Sequence, residues 1–230
     1  MNVLGIICAR KGSKRLPGKH WLEIAGEPLF GYAFKVAEGS GCKFVVLSSD
    51  DRKMFGYWKK FAFKTAWHQR PAKLARDRTP IHTVLQDVVR RFLLGFPHDV
   101  PDAVAFLPAN VPTVTAELIN RTIEALEKNE RATAAMTVRV VRDHPEWLWR
   151  AGGKFLRREF SSAKYRVQDL PVRYIATGSV NIVRLGVLLR CKSSAAYAWL
   201  GNRIVGVPDP GAVEVHDLAD YKRAKEVLEP

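Results

Sequence analysis

Between Cys8 and Lys19 the chain reads Cys-Ala-Arg-Lys-Gly-Ser-Lys-Arg-Leu-Pro-Gly-Lys, a run in which Arg10, Lys14, Arg15 and Lys19 surround Gly12, Ser13 and Gly18. Those residue types suit the capture of phosphate. Glycine lets backbone approach closely, exposed N–H groups point at oxygens, and fixed cations supply the opposing charge. The spacing is neither that of a P-loop nor that of a dinucleotide fingerprint. Taken locally, it leaves two readings open, a phosphate cradle and a basic surface loop.

Three apolar runs reach polar ends in a way that gathers chemistry. Residues 3–9 read as a strand that delivers Arg10, residues 44–48 as one that delivers Asp50, and residues 103–107 as one that delivers Asn110. Helices are predicted over 28–36, 52–60, 80–94, 116–129 and 218–228. Further strands are expected at 61–65, 134–141, 172–175, 179–183 and 204–207. Apolar strands alternating with helices predict α/β layering around a largely parallel sheet, in which ligands collect beyond the carboxyl ends of the strands. Arg10, Asp50 and Asn110 then share one edge. From His144 to Val180 the alternation is less regular, and an excursion from the main sheet over about 143–180 is expected within a single 1–230 domain. Its Trp147 and Trp149 suit either a subunit interface or packing against their own domain.

The chain is long enough, at 230 residues, to bury a real core, and 47% hydrophobic content with 26% charge argues against disorder. No apolar run is long enough for a bilayer span, and the opening residues read as a strand rather than a leader, so a cytoplasmic protein is expected. A formal charge of +14 favours anionic partners. It is scattered, without an RNA-binding signature or a Cys/His finger, which argues against a nucleic-acid module. Cys8, Cys42 and Cys191 suggest neither a disulfide framework nor a zinc site.

Several motifs in this order resemble the acylneuraminate cytidylyltransferase family, the synthetases of CMP-activated sialic-type sugars. They are Ala9-Arg10-x-Gly12-Ser13-Lys14 with Leu16-Pro17-x-Lys19, Leu47-Ser48-Ser49-Asp50, and Arg70-Pro71-Ala72-x-Leu74-Ala75-x-Asp77. His144-Pro145, Gln168-Asp169-Leu170-Pro171, Gly178 and Asp220 follow in family order. The resemblance implies a three-layer, Rossmann-like nucleotide-diphospho-sugar transferase architecture, a homodimer formed through the excursion, and a Mg2+-dependent reaction. In that reaction the anomeric hydroxyl of a 2-keto sugar acid attacks the α-phosphate of CTP and releases pyrophosphate. It assigns Arg10, Gly12, Ser13, Lys14, Lys19 and Arg70 to the nucleotide, with Arg10, Lys19 and Glu214 catalytic. Asn110, Gln168, Thr177 and Asn181 fall to the acidic acceptor, and Glu214 and Asp217 to the metal. Asp77 is expected to orient Arg70 or the sugar side, or to cap a helix.

The chain departs from the family pattern at some of these places. Leu107 stands where glutamine is usual, Ala109-Asn110 replaces Thr-Ser, Thr177 replaces asparagine and Asn181 replaces tyrosine. Val213-Glu214-Val215-His216 stands for Ile-Asp-Ile-Asp. Glu214 still offers oxygen to a hard cation, whereas His216 is a poor ligand for one. These changes point to altered acceptor recognition. They also leave room for another sugar acid, a phosphonate, or a protein that binds CTP without turning it over.

Overall fold

The structure, a computed structural model, describes residues 1–60, 65–160 and 166–229. β1 (Val3–Cys8) is buried along almost its whole length, because Val3, Leu4, Ile6 and Ile7 leave it no polar face. After the basic loop, β2 (Glu23–Ile24) and β3 (Glu27–Pro28) make a minimal antiparallel ribbon, turned through Ala25 and Gly26 at positive φ. α1 (Leu29–Glu38) starts immediately after Pro28, which occupies the cap position. β4 (Phe44–Ser49) leads into α2 (Arg52–Trp58), whose first turn is capped by the Asp51 carboxylate accepting from Lys53 N.

The strand expected at 61–65 falls largely on residues 61–64, outside the described ones. The strand present, β5 (Thr65–Gln69), begins at the last residue of the expected range and runs on through Trp67. α3 (Ile81–Gly95), β6 (Ala103–Pro108), α4 (Ala116–Glu127) and β7 (Ala134–Val140) follow as expected within two residues. Thr115 caps α4 by accepting from Leu118 N. The excursion holds a second two-stranded ribbon, β8 (Trp149–Gly152) with β9 (Phe155–Arg158), turned at Gly153 with φ 72°.

The largest correction concerns the return. In place of two short strands, β10 (Tyr174–Arg184) runs unbroken for 11 residues with a register shift between Ala176 and Asn181. Gly178 sits in that irregularity at φ 75°, which lets the strand bulge without ending. β10 therefore rejoins the sheet at Tyr174, and the excursion closes sooner than residue 180. α5 (Leu185–Arg190), β11 (Ile204–Pro208) and α6 (Leu218–Leu228) complete the chain.

Among the described residues the main sheet has seven strands in the order β11-β7-β10-β6-β1-β4-β5. β10 alone runs against its neighbours, antiparallel to both β6 and β7; the other pairings are parallel. Successive side chains on each strand fall to opposite faces. Ile7, Leu47, Leu107 and Ile182 pack with α1 and α4 on one face. Leu4, Val46, Val104 and Val183 pack with α3 and α5 on the other. This is the α/β layering that the alternation predicts, in the three layers that the resemblance implies. Among the described residues no helix is long and apolar enough to cross a membrane.

Candidate active site

Beyond the carboxyl ends of β1, β4 and β6 lies a cleft of about 220 Å³. Arg10, Lys19, Arg70, Asp77 and Asn110 all line it, so the tertiary structure unites residues drawn from three separate segments, the loop after β1, the 70–77 stretch after β5 and the end of β6. Arg10 follows directly on β1, whose register is extended by Ala9 N donating to Ser48 O at 3.1 Å. The loop from Lys11 is anchored where Lys11 N donates to the Asp50 carboxylate at 2.8 Å. Gly12, Lys14 and Arg15 are exposed along it and Ser13 is half-buried. Gly18, at φ 69°, then turns the chain into a single helical turn from Lys19 to Trp21.

Asp77 corrects its expected role. Among the described residues its carboxylate pairs with neither Arg70 nor a helix N-terminus; it bridges Arg10 and Lys14, the latter at 2.5 Å. The Lys14 hydrogen bond, then that of Arg10, holds the Asp77 carboxyl below the usual range. Two cations of the basic loop are thus gathered on one carboxylate. Lys19 donates to Val215 O at 3.0 Å. Its burial lowers the ammonium pKa, with Glu214 opposing and Arg15 and Arg10 adding to the effect. A desolvated cation flanked by other cations gains most from an arriving anion.

Arg70 is buried, with Nε donating to Ser48 Oγ at 3.1 Å and a terminal nitrogen donating to Ser48 O at 2.9 Å. Among the described residues no carboxylate pairs with it. His20 is a cleft residue that the motif comparison passed over, because only its neighbour Lys19 carries the motif. Burial drives its pKa down to about 3, helped by the Lys19 charge and opposed by a hydrogen bond to the Ala109 backbone. The ring is therefore neutral, and its Nδ1 has no partner among the described residues. Cys8 also lines the cleft, its thiol pKa raised by burial against the lowering influence of Arg70.

Residues 213–217 form no strand, yet alternation persists there. Val213 and Val215 are buried in a small cluster with Ile24, Leu29 and Ala224, while Glu214 and His216 turn outward together. The segment is held by Val215 N donating to Asn110 O at 2.8 Å. Asn110 Nδ2 in turn faces Glu214 Oε1 and Val215 O, each at 3.2 Å. His216 Nε2 lies 3.1 Å from Glu214 Oε2, and Arg15 donates to His216 Nδ1 at 2.8 Å. Thus Arg15, His216, Glu214 and Asn110 make a continuous polar chain. Asp217 is spent otherwise: its carboxylate caps α6 by accepting from Asp220 N at 3.0 Å. Asp220 stands in the first turn of α6 and accepts from His216 N at 2.9 Å.

The acceptor-side candidates separate. Asn181 is buried on the α3 face of β10, directly paired with Phe106, a residue of the cleft wall. Thr177 is enclosed in a hydroxyl network instead: it donates to Asp209 Oδ2 at 2.8 Å, and Ser179 donates to the same oxygen at 2.6 Å. That network ties the β10 bulge to the end of β11, which leaves the Thr177 hydroxyl engaged within the fold. Gln168 is exposed in the turn Val167–Asp169, its amide beside Arg166. Leu107 packs in the core on the α1 face, so the cleft wall at this strand is made by Phe106 and Pro108.

A family model described as cytidylyltransferase matches residues 4–179. The pseudaminic acid cytidylyltransferase of Campylobacter jejuni is 31% identical over 131 residues, covering 56% of this chain and 55% of that protein. The CMP-N,N'-diacetyllegionaminic acid synthase of Legionella pneumophila is 36% identical over 94 residues, 40% of each chain. The chain thus spans about half the length of the curated relatives it matches. In fold it is similar to a CMP:2-keto-3-deoxy-manno-octonic acid synthetase solved with CTP, at a TM-score of 0.73 and 15% identity over 100% of this chain and 99% of that one. With three quarters of its length matched by that model, and its loop, cleft and sheet order in place, the chain belongs to the cytidylyltransferase family.

Proposed function

We propose that this protein transfers CMP from CTP to the hydroxyl of a sialic-like 2-keto sugar acid, releasing pyrophosphate. The observation that carries this reading is the convergence of Arg10, Lys19 and Arg70 on one cleft at the carboxyl edge of the sheet. In-line displacement at phosphorus asks chiefly for positioning and for neutralisation of charge on the transferring and leaving oxygens. The basic loop supports both. Arg10 and Lys14 are preassembled on Asp77, and Lys19 is held half-buried against Val215 O. A triphosphate entering here meets cations that are already ordered, of which Lys19 is also partly desolvated.

Magnesium belongs to the proposal. Such an ion takes one or two carboxylates and completes its shell with phosphate oxygens and water. Glu214 fits that donor set as a single carboxylate, whereas Asp217 is occupied as a helix cap and His216 offers nitrogen. Among the described residues there is no group of three or more His, Cys, Asp or Glu able to hold a metal by themselves. When bound, the ion would neutralise phosphate charge; Asn110 and His216 orient the carboxylate that holds it. On the acceptor side, Asn181 beside Phe106 supplies a buried amide, and Gln168 an exposed one. We place the reaction in the cytoplasm and the protein in a homodimer formed through the excursion.

The test is pyrophosphate release by purified protein with CTP, Mg2+ and a panel of 2-keto sugar acids and small phosphonates, with ATP, GTP and UTP in parallel. Acceptor-dependent release with CTP is expected. It should fall by about tenfold or more in Arg10→Ala and Lys19→Ala, each of which removes a charge-assisted contact. CTP binding without release for any acceptor would leave a nucleotide-binding protein in place of the enzyme.

A further inference from the structure

Behind the cleft, and apart from the loop and the Glu214 segment, runs a chain of polar side chains that is buried from Arg70 through Ser48 to His68 and reaches the surface at Asp87 and Arg91. Ser48 is wholly buried at the end of β4, and its neighbours in the sheet and beyond it are His68 and Arg70, 4% and 6% exposed. Ser48 Oγ lies 2.9 Å from His68 Nδ1, and His68 Nε2 lies 2.9 Å from Asp87 Oδ2 on α3. Arg91, one turn on, donates to the same Asp87 oxygen at 3.1 Å.

Donor and acceptor chemistry permits one consistent direction along this chain. Arg70 only donates, so Ser48 Oγ accepts from its Nε. Asp87 accepts from Arg91, and as a carboxylate it also accepts from His68 Nε2–H. Burial lowers the His68 pKa, the Arg91 and Arg70 charges acting with it and Asp87 against it, so the ring is neutral with Nδ1 as its acceptor. The Ser48 hydroxyl must then donate to Nδ1, which aims its lone pairs at Arg70. Serine, histidine and aspartate stand here in the order used by hydrolases. Ser48, however, is sealed from solvent and already accepts from a guanidinium, so it is no nucleophile.

We propose that His68, backed by Asp87, is a positioning residue that sets the Arg70 guanidinium in the cleft by fixing the rotor of the Ser48 hydroxyl. The geometry stands by itself; its consequence for nucleotide rests on the CTP reading above. Removing the imidazole frees the hydroxyl to turn. Arg70 Nε then loses an aimed acceptor while the bond from its terminal nitrogen to Ser48 O remains.

Two readouts on the 15N-labelled full chain test this. The Arg70 Nε–H resonance should exchange slowly with solvent in the wild type and about tenfold faster in His68→Ala, the scale expected for one lost buried hydrogen bond. His68→Asn keeps an oxygen near the Nδ1 position and should restore slow exchange; His68→Gln reaches toward Asp87 instead and should not. In CTP titrations, His68→Ala should weaken binding about fivefold to tenfold, and by less than about twofold in an Arg70→Lys background. Unchanged Arg70 exchange in folded His68→Ala, equal behaviour of the Asn and Gln variants, or the same CTP penalty in both backgrounds would overturn the proposal. If His68→Ala does not fold, the comparison of Asn with Gln decides. If the wild type binds no CTP, the nucleotide reading falls and the exchange measurement still decides the positioning role.

Discussion

His20 and Lys19 are adjacent, and burial acts on both in the same direction: each loses affinity for its proton. For Lys19 the nearby Glu214 limits the effect, and the side chain remains a cation suited to phosphate. For His20 no carboxylate opposes burial, and the pKa drops from 6.5 to about 3. Stability follows from the sign of that shift. The folded ring stays neutral while the unfolded chain binds a proton below pH 6.5, so the contribution is complete above pH 6.5 and is lost as pH falls toward 3. Within that window each pH unit costs up to about 1.4 kcal/mol. Thermal melts from pH 7 to pH 4 should therefore show a smaller acid-induced fall for His20→Asn than for the wild type. Identical profiles would mean that His20 titrates normally in the fold.

At the scale of elements, β10 decides where Glu214 sits. Gly178, at φ 75° in the bulge, lies so close to the Glu214 carboxylate that a Cβ added there would stand 3.1 Å from Oε2. Alanine at this position incurs left-handed strain of about 1–2 kcal/mol and presses on the carboxylate as well. Gly178→Ala should lower the melting temperature and reduce pyrophosphate release together. A fall in melting temperature with full turnover would separate Glu214 from the reaction. The sequence announces a turn at Gly178, where its pattern predicts a break between two short strands. The bulge instead carries β10 onward because Thr137 Oγ1 stands in for the interrupted ladder, 3.1 Å from Val180 N and 3.2 Å from Val180 O, while Thr177 and Ser179 donate to Asp209.

For the whole molecule, the excursion gathers exposed apolar side chains along one short stretch of chain. Phe155 is 77% exposed, Leu156 67% and Trp149 54%, with Trp147 and Leu148 also exposed beside them. Trp147 lies against the His144 ring and Trp149 under the Arg158 guanidinium, yet each keeps about half of its surface exposed, so both roles their sequence allowed stay open. His144 fastens the base of this region, Nε2 donating to Pro171 O at 3.0 Å. A ribbon this short and this apolar is expected to find a partner. Sedimentation at micromolar concentration should give twice the mass of one chain. A Trp149→Ser, Leu156→Ser variant should sediment as a monomer and retain its melting cooperativity. A monomeric wild type would remove the homodimer from the proposal.

The apolar strands, their alternation with helices and the basic loop were legible in the sequence because each depends on local pattern: a buried strand needs a continuous apolar run, and a phosphate-type loop needs glycine and cations close together. Those alone determined the α/β class and the edge on which Arg10, Asp50 and Asn110 meet. Which partners these groups take was decided only by tertiary structure. Asp77 lies 67 residues from Arg10 yet bridges it to Lys14, and Asn110 meets Glu214 from 104 residues away. His20 became a buried neutral ring, and Thr177 and Asp217 were drawn into the fold's own hydrogen bonding. A side chain's chemistry is written in its type, but its charge state and its freedom to meet a ligand are set by desolvation and by the neighbours that packing brings within about 3 Å.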